Sequence, residues 1–236
     1  MIDTITRNVY SNISRGLFEN DKLIFTYLIS TSIDRYEKLI APADWNLLLR
    51  GAQPFTKDQK DRKPPNPLPK SINPLNFDLL YSTQCLVENF SGIIDSMHEN
   101  QEAWTAWGSC EDPLNTKLPG DWEEKLSDFQ KQIVIKVFRA EKLMFAFTKY
   151  VNVHMGEFYT TPMAITMDLL YKDTDPYTPL IFILSTGADP MGKLITYAQE
   201  KGMYDNLETI SLGQGQGKKA LTAISDGMES GKWVVL

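Results

Sequence analysis

The residues Gly187-Ala188-Asp189-Pro190-Met191-Gly192-Lys193-Leu194 are where this chain comes nearest to a recognisable chemistry. A glycine, four residues, a second glycine and a lysine is the spacing of a phosphate-binding P-loop, G-x-x-x-x-G-K-[ST]. In such a loop backbone N–H groups cradle phosphates, the lysine reaches the terminal phosphates and the hydroxyl holds Mg²⁺. Here Leu194 stands where the hydroxyl belongs and cannot ligate a metal. Asp189 puts a negative charge inside the loop, which repels phosphate unless its side chain turns away, and Pro190 removes a backbone donor. Gly187, Gly192 and Lys193 are therefore the candidate cofactor-binding residues, read as a degenerate and empty phosphate loop, with weak metal-free phosphate binding as the alternative. Hydrolysis also needs an acidic pair at the end of a neighbouring strand, and that position falls beyond Leu236. No catalytic residue and no metal ligand is assigned.

Other constellations are weaker. The run Gly213-Gln214-Gly215-Gln216-Gly217 precedes a helix, where glycine N–H groups can hold an anion, but a tight strand-to-helix turn explains it as well. Lys136, Arg139 and Lys142 share a helical face. They are read as a solvated or salt-bridged surface, against an arginine-finger-like contact to a neighbouring nucleotide. His98 and His154 have no metal-ligand spacing and are read as surface or hydrogen-bonded structural residues. Cys85 and Cys110 are too few and too isolated for a disulfide framework or a metal site, which fits a reducing, intracellular setting.

The elements that position the loop follow from local pattern. Pro179-Leu180-Ile181-Phe182-Ile183-Leu184 is a short continuous apolar run, the mark of a strand buried on both faces. Lys193 to Lys201 reads as a helix closed by Gly202. A second strand near 207–212, a helix over 218–229 and a third strand at Trp233–Leu236 imply a parallel sheet. The chain stops within that apolar strand, which suggests a piece of a longer polypeptide. Before the sheet, 5–39 reads as one long helix, or two with a break near Ser14-Arg15-Gly16, ended by Pro42. Asp44 then caps a short helix closed by Gly51. Proline-rich 53–74 reads as an extended, basic surface excursion, 77–97 as a helix, and Trp104 and Trp107 as part of a polar connection. Asp121 and Glu124 suggest a capping box opening a helix through Phe138, with a junction at 139–142 before a second helix that includes Leu143 and Phe147, and 155–176 reads as a connector. The fold class is α/β with a large helical part: N-terminal helices followed by an incomplete parallel three-layer P-loop sheet. Its segments are 1–52 (helical), 53–76 (proline-rich), 77–176 (helical) and 177–236 (truncated P-loop domain).

Composition is that of a globular chain. The 236 residues are 42% hydrophobic and 23% charged, with a formal net charge of -6. An acidic balance argues against a dedicated nucleic-acid binder. No apolar run approaches the roughly 20 residues needed to span a bilayer, so no membrane partner is expected. The N-terminus lacks a basic start followed by an apolar stretch, so no signal peptide is visible.

Beyond the loop, Asn12-Ile13-Ser14-Arg15-Gly16-Leu17-Phe18-Glu19-Asn20-Asp21-Lys22-Leu23-Ile24-Phe25 resembles a segment of dynein heavy chains just after the fifth AAA+ module of the motor ring. Trp45-Asn46-Leu47-Leu48-Leu49-Arg50-Gly51 resembles the next landmark. Pro179 through Met191, Ser211 through Gly217 and Gly231 through Leu236 resemble the opening and later parts of the sixth module. The resemblance implies a structural, non-hydrolysing part of a motor for minus-end-directed, microtubule-based movement. ATP and Mg²⁺ are then expected in other modules of the parent, which is an ATPase, and none in this segment. Implied partners are the remaining AAA+ modules, the microtubule through the parent's stalk, and dynein intermediate and light chains. The implied location is the cytoplasm and cytoskeleton, closer to the axoneme of a cilium or flagellum than to cytoplasmic dyneins. The principal ATP sites, the stalk, the linker and the second half of the sixth module are not in this sequence. The rival reading is an active P-loop nucleotide-binding protein, a small NTPase or kinase; a third is a free-standing helical interaction protein.

Overall fold

In the computed structural model, residues 2–161, 166–172, 174–175, 177–184 and 187–236 are described, and the chain divides into two units, 1–161 and 162–236. The regular elements of the first unit are helices: α1 (Ile2–Ser14), α2 (Glu19–Tyr36), α3 (Pro42–Arg50), α4 (Lys57–Arg62), α5 (Pro74–Leu86), α6 (Ile93–Glu99), α7 (Gln101–Ser109), α8 (Trp122–Lys125), α9 (Asp128–Phe138) and α10 (Leu143–His154). The second unit holds α11 (Met167–Lys172), α12 (Pro190–Glu200), β1 (Leu207–Thr209), α13 (Gly217–Ser230) and β2 (Trp233–Val235).

The first unit is built around α9. Phe129, Gln130, Gln132, Ile133, Val134, Ile135 and Val137 are all buried, and a helix apolar on most sides must be covered on most sides. α3, α5 and α10 supply that cover, and α10 packs in turn on α2. The start of α9 is fixed by a reciprocal capping box: Ser127 Oγ accepts the Gln130 N–H at 3.2 Å and Gln130 Oε1 accepts the Ser127 N–H at 3.1 Å. The box expected at Asp121 and Glu124 does not form. Asp121 precedes a four-residue helix and makes no side-chain cap bond, while Glu123 accepts the Leu118 N–H at 3.1 Å.

Polar side chains cross this core in pairs. Tyr27 Oη donates to Gln132 Oε1 at 2.6 Å, joining α2 to α9, and Tyr150 Oη donates to Asp34 Oδ2 at 2.6 Å, joining α10 to α2. Tyr27 stacks on Phe147 with ring centroids 3.9 Å apart. Burial raises both phenols above their ordinary range, with the bond to Asp34 adding to the rise at Tyr150, so both stay neutral donors.

Several local expectations change in the structure. The N-terminal helix does break after Ser14, but α2 ends at Tyr36, and Pro42 opens α3. Proline is well suited to that first position, where its missing N–H would have had no helical partner. Ala41 holds the N-cap place, whereas Asp44 lies a turn further in and is buried. The proline-rich stretch is not wholly extended. Thr56 and Gln59 cap α4 reciprocally, and Leu68 and Ile72 between the prolines are drawn into the core. The 77–97 helix is divided, because Val87 leaves helical geometry and Gly92 takes φ +82° ahead of α6. Trp104 and Trp107 belong to α7 and are buried, since both indole N–H groups find acceptors, Ser96 Oγ at 3.3 Å and Thr116 O at 3.1 Å.

In the second unit β1 and β2 are parallel, pairing Leu207 with Trp233, Glu208 with Val234 and Thr209 with Val235, and α13 makes the crossover. Gly227 lets α13 lie against β2, because a Cβ there would stand 2.8 Å from Val234 Cγ2. The strand expected at Leu180–Leu184 is absent. These residues are exposed, Ile181 by 83%. Among the described residues β1 and β2 pair only with each other, and without a ladder to satisfy its backbone the apolar run has nothing to hold it. The described sheet is therefore a two-stranded parallel ladder, not three layers. No helix among the described residues is long and apolar enough to cross a membrane.

Replacing Tyr27 by Phe leaves the buried Gln132 oxygen without its donor. The expected loss is about 1–3 kcal/mol, read as a lower urea midpoint with an unchanged slope. Tyr36→Phe, at a position 88% exposed, is expected to stay within about 0.5 kcal/mol of the wild type.

Candidate functional site

The site is the turn from Gly187 into α12. Gly187 takes φ +84°, which permits the reversal, and α12 begins at Pro190, three residues earlier than the apolar pattern suggests. The first N–H groups of a helix have no partner inside it and carry the positive end of its dipole. In a working phosphate loop the ligand meets that need. Here Asp189 is the N-cap, and its Oδ1 accepts the Gly192 N–H at 2.9 Å. The loop thus holds an anion of its own.

Gly192 and Pro190 take on different meanings in this geometry. A Cβ on Gly192 would stand 2.4 Å from Asp189 Oδ2, so the second glycine of the spacing makes room for a carboxylate on the same chain. Pro190 is the first helical residue, where it removes a donor the helix does not use. Lys193 is exposed and makes no ion pair among the described residues. Leu194 is half-buried along α12 and offers no metal ligand. Ser185 and Thr186, on the entry side of the loop, lie outside the described residues.

The far end of α12 is held by side chains of α11. Tyr197 Oη donates to Asp168 Oδ1 at 2.7 Å, and Lys201 Nζ lies 2.8 Å from the same oxygen. The Lys201 bond first, then that of Tyr197, holds the Asp168 carboxyl below its usual range. Tyr171 and Trp233 complete an aromatic cluster around Tyr197, with centroids 5.9 and 6.2 Å from its ring.

The second glycine run is a turn. Gly215 takes φ +80°, the Gln216 N–H donates to Gly213 O at 3.2 Å, and α13 starts at Gly217. The basic face at the end of α9, expected to be solvated or salt-bridged, does carry an ion pair, Arg139 Nε to Glu141 at 2.5 Å, and it also reaches neighbouring helix ends. Lys136 Nζ donates to Leu48 O near the C-terminus of α3. Arg139 Nη1 donates to Gly108 O at 3.3 Å and Cys110 O at 2.6 Å at the C-terminus of α7. His98 is exposed, and His154 lies 3.2 Å from Asp34 and stacks on Tyr150. Among the described residues no cluster of His, Cys, Asp or Glu could hold a metal. Asp189 is the residue whose role a motif-based reading misses, although Asp-Pro is itself a helix-start signal.

Residues 175–236 match the family described as the dynein heavy chain region D6 P-loop domain. The whole chain is similar to the dynein-1-beta heavy chain of the flagellar inner arm I1 complex of Chlamydomonas reinhardtii, 35% identical over 234 residues, covering 99% of this chain and 5% of that protein. It is also 32% identical to human dynein axonemal heavy chain 6, covering 100% of this chain and 6% of the relative. With rat dynein axonemal heavy chain 12 it shares 33% identity, over 99% of this chain and 7% of the relative. The chain therefore spans between 5% and 7% of the length of these relatives.

A double-mutant cycle tests the loop geometry. Asp189→Ala is expected to cost about 0.5–2 kcal/mol of α12 stability, as loss of an N-cap does. Gly192→Ala should destabilise α12 while Asp189 is present, because the new methyl displaces the carboxylate. In the Asp189→Ala background the same change should stabilise α12, by up to about 1 kcal/mol from helix propensity. Hydrogen exchange of α12 amides reads all four proteins.

Proposed function

The chain belongs to the dynein heavy chain family, and from that premise we propose that it is a structural, non-hydrolysing part of a motor ring. It would comprise the helical region between the fifth and sixth AAA+ modules and the first half of the sixth. The observation that carries this reading is the Asp189 carboxylate on the Gly192 N–H, in the place a phosphate oxygen would need. A nucleotide would have to displace that carboxylate, would meet its charge a few ångströms away, and would find no hydroxyl at Leu194 to hold Mg²⁺. ATP and Mg²⁺ then act in other modules of the parent, and this segment contributes mechanically. Packed helices pass rigid-body shifts between neighbouring modules and towards the stalk that meets the microtubule.

The first unit suits such a role. α9 is tied to α2 by Tyr27–Gln132 and to the ends of α3 and α7 by Lys136 and Arg139, so several helices move as one body. The working partners are the remaining modules of the same heavy chain, with intermediate and light chains elsewhere in the complex. The names of the relatives, axonemal and flagellar, support a cytoskeletal location in the axoneme. The rival reading, an active small NTPase or kinase, requires the loop to open, and nothing in its geometry favours that.

Titration calorimetry of ATP·Mg²⁺ against the chain and against Leu194→Thr separates the two readings. No saturable heat is expected from either protein, because the hydroxyl alone does not remove the resident carboxylate. Micromolar affinity in the wild type that is lost in Lys193→Ala would overturn the proposal.

A further inference from the structure

Asp44 is a buried ionisable group with no role in the account above. It sits in the first turn of α3 and is 4% exposed. Its Oδ2 accepts from Gln130 Nε2 at 3.2 Å. Its Oδ1 is buried with no hydrogen-bond partner. Gln130 cannot turn to serve that second oxygen, because its own Oε1 is held by the Ser127 N–H and by Asn89 Nδ2, each at 3.1 Å.

Among the described residues no cation offsets this carboxylate. On α9, Lys136 is engaged on Leu48 O, and Lys131 lies 2.7 Å from Glu123 and 3.6 Å from Asp128. On α2, the Arg35 guanidinium lies over the Trp45 ring, 4.7 Å from its centroid. On α5, Asp78 is paired with Lys63. Among the described residues no ion pair reaches Asp44. Its ionised form is thus a desolvated charge with one neutral donor, Gln130, on Oδ2 and none on Oδ1, and protonation removes the buried charge.

We propose that Asp44 is a proton-operated catch on the seam between α3 and α9, which tightens when the side chain takes up a proton and loosens when it ionises. α3 is bound to α9 near both ends, by Asp44–Gln130 at its start and Leu48 O–Lys136 near its finish. A change at Asp44 is therefore felt along α3, and α3 also packs on α5.

The sign follows from burial, which pushes the Asp44 carboxyl up from its ordinary value. The folded state then binds this proton more tightly than the unfolded chain does. Stability is gained as pH falls through the folded-state titration towards the ordinary carboxylate range. Glu123, Asp112 and Glu141 are held below their ordinary values. Their contribution is lost on acidification only below that range. Burial holds Lys136 on the same seam below its ordinary value, which acts in the opposite sense as pH rises, so the comparison with Asp44→Asn isolates the Asp44 part of the response above about pH 4.5.

Hydrogen exchange of the Leu48 and Gly51 amides, corrected for intrinsic rates, tests the catch at about pH 4.5 and about pH 8. The wild type should be better protected at the lower pH, on the order of tenfold for each pH unit by which the carboxyl is displaced. Asp44→Asn, which cannot ionise, should lack this gain at the lower pH. Equal pH responses in the two proteins, or a wild type better protected at the higher pH, would overturn the proposal. Should Asp44→Asn not fold, carboxyl-carbon NMR of the wild type decides. A midpoint for Asp44 above the ordinary carboxylate range supports the catch, and one within or below that range overturns it.

Discussion

Peptide groups at the two ends of a helix have no partner within it, and a chain made mostly of helices must find acceptors and donors for many of them. In this protein three charged side chains that lie at or near the features singled out by sequence pattern meet that need. Asp189 caps the start of α12, Lys136 serves the end of α3, and Arg139 serves the end of α7. Each removes a charge from availability to a nucleotide and gives it to the packing of the fold. The second glycine of the phosphate-loop spacing belongs to the same arrangement, since a Cβ there would stand 2.4 Å from Asp189 Oδ2 as the carboxylate now sits.

That constraint links the two units in character, though each is built by its own contacts. In the first unit, polar atoms on α9 reach α2, α3 and α7, so the central helix is both apolar core and a source of specific attachments. In the second, α12 is held at its start by its own cap and at its far end by Asp168, which receives Tyr197 and Lys201. A loop held in this way is a turn between structural elements. That is consistent with the non-hydrolysing role proposed for the segment.

Much of the fold was legible from residue pattern: the break after Ser14, the glycine closing α3, the junction at Arg139, α13 and the parallel pairing of its flanking strands. Errors arose where a residue has two physical meanings. Pro42 and Pro190 look like terminators or lost donors, yet at the first helical position proline is favoured. Asp121 looks like a cap, but Ser127 three residues before Gln130 makes the reciprocal pair. Trp104 and Trp107 look like members of a polar connection because their neighbours are polar, and burial becomes possible only when acceptors at Ser96 and Thr116 arrive from elsewhere. Leu180–Leu184 has the composition of a buried strand, but a strand requires a neighbour, which local composition does not supply. At the site, the three glycine and lysine positions stood out by spacing, whereas Asp189 registered only as a defect. Its use as the resident anion depends on a side-chain direction that spacing does not encode.

The start of α12 already holds an anion of its own chain, the Asp189 carboxylate on the Gly192 N–H. Hydrogen exchange of the Gly192 amide, measured with and without saturating ATP·Mg²⁺, tests it most directly. The amide should be protected in the free protein and unchanged by nucleotide. An amide that exchanges freely alone and becomes protected in a saturable way as nucleotide is added would contradict the account.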